Sequence, residues 1–194
     1  MPTTLARDAA LTALDFETTG HTRGQRSLPW QLGLAIGEKG LITETRSLLL
    51  RVPADFRFNP YAPGRWAEIR DELAQAPTLL ESWTEIGPLL QNRWLVSHNA
   101  PVERGILLNA FPLHSFPQWI DTLRVARAVY PRMENYALEA LIPALGLTSA
   151  VEAACPGLSP HDALYDAVGC LTLLNHILTL EGWADVSAEY LAGI

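Results

Sequence analysis

Two acidic residues, Asp15 and Glu17, stand two positions apart in a mostly apolar run at residues 10–17. The run is short and residues 18–20 contain turn-forming types, so we predict a buried strand that ends in a turn. Alternate side chains of a strand share one face, and both carboxylates should therefore point the same way. Such a pair is unfavourable unless a cation or water neutralises the repulsion. The pair alone leaves a cation site and a hydrated strand end equally open.

A second acid follows a predicted strand in the segment Ser-His-Asn-Ala-Pro-Val-Glu at residues 97–103. Pro101 is suited to the start of a helix, because its missing N–H has no partner there anyway. Glu103 would then lie in the first helical turn. A carboxylate at that place interacts favourably with the helix dipole by about 0.3–1 kcal/mol, which by itself is sufficient reason for a Glu.

The third segment, residues 161–166, reads His-Asp-Ala-Leu-Tyr-Asp and precedes an apolar stripe with helical spacing. Asp162 can cap the predicted helix, and Asp166 lies just over one turn inside it. For Asp166 the alternative to a ligand is a half-buried acid paired with an arginine. For His161 the alternative is an ordinary surface histidine.

Taken together, the three segments point to a metal site more strongly than each does alone. They supply four carboxylates and one histidine, and hard oxygen ligands in that number suit Mg²⁺ or Mn²⁺. Two such ions about 3.5–4 Å apart can stabilise both the attacking and the leaving oxygen of a phosphoryl displacement. A histidine with a pKa near neutrality can accept the proton of the attacking water.

These segments resemble the three motifs of the DEDDh 3′–5′ exonucleases, a family that includes ribonuclease T and the proofreading epsilon subunit of bacterial DNA polymerase III. The resemblance extends from Leu11 to about Leu174, and residues 31–33 and 120–122 are similar to the family's intervening segments. It implies a ribonuclease H-like α/β fold, with a five-stranded mixed sheet flanked by helices. It also implies hydrolysis of single-stranded DNA or RNA from the 3′ end, releasing nucleoside 5′-monophosphates.

The resemblance assigns roles residue by residue. Asp15 would bridge two Mg²⁺ or Mn²⁺ ions, and Glu17 and Asp166 would help hold the ion that binds the attacking water. Glu103 would lie near the second ion, and His161 would be the general base. The remaining expected contacts are to the substrate: the backbone of Thr18 and Gly20 with the 3′-terminal nucleotide, and Asn99 with the strand.

Two positions depart from the family pattern: Glu103 stands where Asp is usual, and Val102 where Phe is usual. Glu is one methylene longer, and octahedral Mg²⁺ tolerates misplaced ligands poorly. The competing hypothesis is therefore a catalytically weakened nucleic-acid-binding or scaffold domain on the same fold.

The positions of these residues depend on the elements around them. We predict an antiparallel meander of three strands up to residue 50, with its second turn at residues 37–40. Helices are expected at residues 66–73 and 79–90, followed by alternating strands and helices and a last long helix over about residues 162–180. Asn135 is expected to cap a helix that ends near Gly146. This order indicates a mixed sheet with helices on its faces.

Length and composition favour one domain over residues 1–194. The resemblance implies that it is an exonuclease domain, with its core at about residues 10–180. With 14 basic and 21 acidic residues the net charge is −7. This charge argues against electrostatic binding of long duplex DNA. Arginines alternate with aromatics at residues 51–66. Such a loop can bind single strands, although packing of its aromatics over the sheet edge is the favoured interpretation.

Few cysteines, no leader-like run at residues 1–10 and no membrane-length apolar stretch predict a cytoplasmic protein with free thiols and no membrane partner. Roles in DNA replication or repair, a DNA polymerase partner and a homo-oligomer are left open. The short stretch after the last predicted helix favours a stand-alone nuclease.

Overall fold

Three long strands, rich in apolar residues, occupy the first 50 residues in the computed structural model, which describes residues 4–194. Strands β1 (Leu11–Thr18), β2 (Pro29–Glu38) and β3 (Leu41–Leu49) form an antiparallel meander, as predicted. Lys39 and Gly40, between β2 and β3, both have positive φ, at 52° and 75°. That geometry is typical of a two-residue hairpin turn whose twist matches the strands.

Two short strands complete the sheet on its other side. Strands β4 (Trp94–Ser97) and β5 (Trp119–Asp121) run parallel to β1, and the strand order is β3-β2-β1-β4-β5. The predicted five-stranded mixed sheet is therefore confirmed. Because β1 lies in the middle, it is flanked by β2 on one side and by β4 on the other.

Helices connect and cover the strands. In chain order they are α1 (Arg70–Gln75), α2 (Trp83–Leu90), α3 (Pro101–Ala110), α4 (Thr122–Val129), α5 (Leu138–Ala144), α6 (Thr148–Ala154), α7 (Ala163–Ile177) and α8 (Ala188–Ala192). Within residues 4–194, no helix combines the length and the apolar character that a bilayer crossing requires.

The period-two alternation of β1 divides the core between the two faces of the sheet. Leu11 and Ala13 belong to the cluster that contains the apolar side of α7, whereas Leu14 and Phe16 belong to the cluster that contains Leu107 of α3. Asp15 and Glu17 share the parity of Leu11, so the strand directs them toward the α7 face. Both cysteines are free and buried.

The region between β3 and β4 differs from the predicted helices, since α1 starts only at Arg70 and α2 only at Trp83. Trp66 was expected within a helix, but its ring stacks on Phe58 with centroids 4.4 Å apart, and its indole N–H donates to the Ala62 carbonyl. Local aromatic packing thus overrides helical spacing, a short-range preference that tertiary contacts often outweigh.

Two further differences concern the segment before α7. Asn135 does not cap α5 directly; its Oδ1 accepts from the Ala137 N–H, and this turn leads into the helix at Leu138. Gly146 ends that region with a φ of +71°, as its type predicts. Helix α6 was not predicted.

Candidate active site

The two acids of β1 lie beside each other on the α7 face of the sheet. Asp15 is opposite Gly33 and Glu17 opposite Gln31 in the β1–β2 register. Glu17 retains only 7 % of its surface exposed. A hydrated strand end, the alternative open from the sequence, is therefore excluded for Glu17.

A glycine on β2 permits the close approach of α7 to these acids. A Cβ atom built on Gly33 would lie 2.0 Å from the Ala163 carbonyl oxygen, so any other residue would push the helix away. Buried Gln31 fixes the same contact, because its Oε1 accepts from the Ala163 N–H at 3.2 Å and its Nε2 donates to Ser47 Oγ at 3.1 Å. The first turn of α7 is thereby held against the sheet next to β1.

The start of α7 places Asp166 and His161 beside the two acids of β1. Asp162 caps the helix by accepting from the Leu164 N–H at 3.0 Å, as predicted. The His161 backbone has a φ of +69°, and its N–H donates to Asp166 Oδ2 at 3.0 Å. One ligand atom each of Glu17, His161 and Asp166 lies within 4.8 Å of the other two.

Glu103 approaches the cluster from α3, in the first turn of the helix that begins at Pro101. The side chain is 4 % exposed, and its Oε2 is buried without a hydrogen-bond partner. A buried carboxylate oxygen with no partner destabilises the fold, because its hydrogen bonds to water are lost and no others replace them. Attraction to the helix dipole does not supply the missing partner, and a cation would.

The electrostatics of the four carboxylates reflect burial together with mutual repulsion. Burial raises the pKa of Asp15 well above its usual value, and the nearby charges of Asp166, Glu103 and Glu17 raise it further. Burial also raises the pKa of Glu17 to about 8, with Asp166 and Asp162 adding to the effect.

The other two carboxylates are also perturbed. Burial raises the pKa of Glu103 to about 8, with the charge of Asp121 acting in the same direction. Burial raises the pKa of Asp166 to about 6, although the hydrogen bond from His161 opposes the shift. Groups that repel one another when ionised are the groups that a divalent cation would stabilise.

Positive side chains do not neutralise this cluster. In residues 4–194, no ion pair includes any of the four carboxylates, so pairing of Asp166 with an arginine is excluded for this part of the chain. The donor set is made of oxygens with one histidine nearby, which matches the preference of Mg²⁺ or Mn²⁺. The arrangement can therefore hold hard divalent ions beside a group that accepts protons.

The residues expected to contact substrate lie at the turns beside the acids. Thr18 ends β1, and its Oγ1 accepts from the Gly20 N–H at 3.3 Å, while Gly20 has a φ of +70°. Asn99 is exposed in the β4–α3 turn with a φ of +77°, and its N–H donates to Asp121 Oδ1 at 3.1 Å. Their contacts with a strand stay predictions.

His98 has a structural role at the end of β4. Its Nδ1 lies 3.0 Å from Thr122 Oγ1 and its Nε2 lies 2.7 Å from the Tyr136 carbonyl oxygen. Burial lowers its pKa, which favours the neutral ring.

Two residues near the site were not singled out from the sequence. Glu139 of α5 places Oε2 3.2 Å from His161 Nε2. Asp121 caps α4 through the Leu123 N–H and also holds the Asn99 turn. An Asp before a helical run is a recognisable cap, whereas no sequence signal connects Glu139 with a histidine 22 positions later.

Solved structures of nucleases share this fold. The chain is 28 % identical to Exonuclease X solved with a 5′-overhanging duplex DNA, covering 94 % of this chain and 98 % of that one with a TM-score of 0.70. A 3′-exonuclease solved for recognition of the histone mRNA stem-loop is 13 % identical, covering 93 % and 68 % of the respective chains with a TM-score of 0.71.

Escherichia coli Exonuclease I, solved with an oligonucleotide, is 17 % identical with a TM-score of 0.67. The match covers 90 % of this chain but only 41 % of Exonuclease I. At such identities the last two likenesses establish the fold alone. No curated protein matches the sequence significantly, whereas the RNase T family model, described as an exonuclease, matches residues 12–174.

Proposed function

The chain belongs to the RNase T exonuclease family and is a DEDD-type 3′–5′ exonuclease, and from this premise we propose that it removes nucleotides from single-stranded DNA with two divalent ions. The products would be nucleoside 5′-monophosphates. The observation that carries the proposal is the uncompensated set of four carboxylates, of which Glu17 and Glu103 are buried and Asp15 and Asp166 half-buried, with one Glu103 oxygen lacking any partner. The clusters packed on both faces of one sheet favour a single exonuclease domain.

In this proposal the chain's residues divide between holding cations and moving a proton. Asp15 would contact both Mg²⁺ or Mn²⁺ ions, since it is coupled electrostatically to the acids of β1, α3 and α7 alike. Glu17 and Asp166 would hold one ion and Glu103 the other. When bound, such ions stabilise charge on the phosphoryl oxygens and make an attacking water more acidic.

His161 would accept the proton of the attacking water as the water oxygen bonds to phosphorus. The bond from phosphorus to the 3′ oxygen breaks, which leaves a 3′ hydroxyl on the shortened strand. The ring is exposed, lies near Glu17 and Asp166, and is held at Nε2 by Glu139. Its backbone is fixed by the bond to Asp166. This arrangement leaves the base accessible to solvent while limiting its orientations, as general base catalysis requires.

The substrate would be the 3′ end of a single strand. Exonuclease X was solved with an overhanging duplex DNA, which supports DNA as the substrate. The net charge of −7 predicts weak affinity for long duplexes at physiological salt. Four of the acids belong to the ion-holding site, where bound divalent ions would neutralise their charge. An acidic protein could therefore still accept a phosphate chain at this site.

The test of this function is incubation with single strands of DNA and RNA, labelled at the 3′ or the 5′ end, in Mn²⁺, Mg²⁺ and EDTA. We expect immediate release of the 3′ label as a mononucleotide, stepwise shortening of the 5′-labelled strand, and no reaction in EDTA. Faster cleavage of RNA than of DNA would refute the DNA assignment, and release of the 5′ label first would refute the polarity.

Glu103 provides the test against a catalytically weakened binding domain. Glu103→Ala should abolish cleavage, because the second ion loses its ligand, whereas Glu103→Asp should retain it. Wild-type binding of a labelled strand without turnover in either metal would favour the scaffold hypothesis. Normal cleavage by Glu103→Ala would show that Glu103 is not a ligand.

A further inference from the structure

An aromatic side chain near the candidate site, Tyr61, lies almost entirely in solvent, with 92 % of its surface exposed. Other aromatics in the same loop are packed: Phe58 stacks on Trp66, and Phe56 joins the same small cluster over the sheet edge. The favoured interpretation of the arginine–aromatic segment is thus confirmed for those three residues. Packing does not account for Tyr61.

Tyr61 lies in a turn that is closed by hydrogen bonds. Asn59 Oδ1 accepts from the Tyr61 N–H at 2.9 Å, and the Asn59 carbonyl accepts from the Ala62 N–H at 2.9 Å. The indole N–H of Trp66 donates to the Ala62 carbonyl at 3.0 Å and ties the turn to the packed aromatics. Because the backbone is already ordered, a ligand that stacks on this ring would lose little conformational entropy.

The turn sits between the end of β1 and the start of α7. The Asn59 N–H donates to the Thr19 carbonyl at 2.8 Å, and a Cβ built on Gly20 would lie 2.8 Å from Asn59 Cβ. On the other side, a Cβ built on Gly64 would lie 3.2 Å from the His161 carbonyl oxygen. Tyr61 therefore lies at the rim of the site, beside the turn expected to meet the 3′-terminal nucleotide.

The rim is locally basic although the chain is acidic. Residues 19–29 and 56–67 contain four arginines and no Asp or Glu, in a chain of net charge −7. The four are Arg23, Arg26, Arg57 and Arg65, and all are exposed. Within residues 4–194, none of them forms an ion pair, so they can meet phosphates without first releasing a carboxylate.

We propose that Tyr61 is a stacking platform for a nucleobase of the substrate strand, with the rim arginines contacting the flanking phosphates. Base stacking on an exposed aromatic ring and charge along the backbone are the two contacts by which proteins bind single strands without reading sequence. The proposal rests on the proposed function and adds the element that holds the strand while its 3′ end lies at the carboxylates.

Steady-state kinetics on a twelve-nucleotide oligothymidine in Mg²⁺ test the platform through the separation of KM from kcat. Tyr61→Ala should raise KM about tenfold with little change in kcat, since the loss of one stacked base typically costs a factor of about 5 to 150. Tyr61→Phe and Tyr61→Trp should keep the wild-type KM, because each retains a ring.

The matched control is Leu80→Ala. Leu80 is also exposed, at 63 %, and lines a cavity of about 550 Å³ that residues 21–29 share with α3. The Leu80→Ala variant should leave KM unchanged. A raised KM in Leu80→Ala with a normal one in Tyr61→Ala would place the strand along that cavity and overturn the proposal.

Binding measured without turnover separates this proposal from the proposed function. In EDTA at low salt, anisotropy of a fluorescent oligothymidine should show weaker binding by Tyr61→Ala than by wild type or Tyr61→Phe. If wild type cleaves no strand but this order of affinities holds, the function fails and the platform stands. Equal affinities and equal KM values for Tyr61→Ala and wild type, or an equal defect in Tyr61→Phe, would overturn the platform.

Discussion

Replacement of Glu17 by Gln should stabilise the protein when divalent ions are removed. Burial and the neighbouring carboxylates raise the pKa of Glu17 to about 8 from 4.5, so the folded state opposes its ionisation. Below about pH 4.5 the carboxyl is neutral in both states and the folded state carries no penalty. As pH rises toward 8, only the unfolded state ionises readily and stability falls by about 1.4 kcal/mol per pH unit. At pH 7 the penalty is about 3 kcal/mol.

Thermal unfolding in EDTA measures this penalty directly. For a chain of this length, 1 kcal/mol shifts Tm by about 2–4 °C, so Glu17→Gln should raise Tm by about 6–12 °C at pH 7. The gain should shrink toward zero near pH 4. Exposed Glu68, which joins no ion pair within residues 4–194, gives the control Glu68→Gln, with no comparable gain.

Addition of Mg²⁺ should stabilise wild type more than it stabilises Glu17→Gln. A ligand that binds the folded state raises stability according to its concentration relative to its Kd, and the amide variant loses much of that binding. Wild type should therefore gain more Tm than Glu17→Gln on addition of Mg²⁺, while the variant loses activity. A lower Tm for Glu17→Gln in EDTA at pH 7, or an equal gain at pH 4 and pH 7, would refute the reasoning.

Further predictions concern the elements that position the site. Glu139→Gln should lower kcat by about three- to tenfold without raising KM, because the His161 ring loses its orienting partner; a change in KM alone would contradict this. Gly33→Ala should cost about 3 kcal/mol or more in chemical denaturation, since its methyl group meets the Ala163 carbonyl, and an unchanged midpoint would contradict the close approach. The control Gly105→Ala lies within α3 with no atom within 4 Å of the added Cβ, and should stabilise by about 0.5–1 kcal/mol.

Sequence spacing predicts those parts of the site that depend on local periodicity. The two-residue step from Asp15 to Glu17 places both on one face. The antiparallel meander of β1, β2 and β3 follows from the succession of apolar runs and turns. The cap at Asp162 was predictable for the same reason, since it needs only the following backbone N–H groups.

Contacts between distant segments were not predictable. Gly33 and Gln31 have ordinary local roles in β2, and their importance appears only when α7 packs against them. The sequence was sufficient to identify Glu103 as a candidate ligand in the first turn of a helix. Its burial without a hydrogen-bond partner depends on the packing of α3 beside β1. Tyr61 and Trp66 occupy similar sequence surroundings, and tertiary packing decides that the Trp66 ring stacks on Phe58 while the Tyr61 ring stays exposed.

The central claim is that four carboxylates from β1, α3 and α7 jointly hold two divalent ions. Electron paramagnetic resonance of the protein titrated with Mn²⁺ tests it most directly, because two ions about 4 Å apart give a spin-coupled signal that isolated ions lack. Wild type should bind two coupled Mn²⁺ ions, and Asp15→Asn should lose the coupling while remaining folded by circular dichroism. Uncoupled binding in wild type, or a coupled pair that persists in Asp15→Asn, would contradict the account.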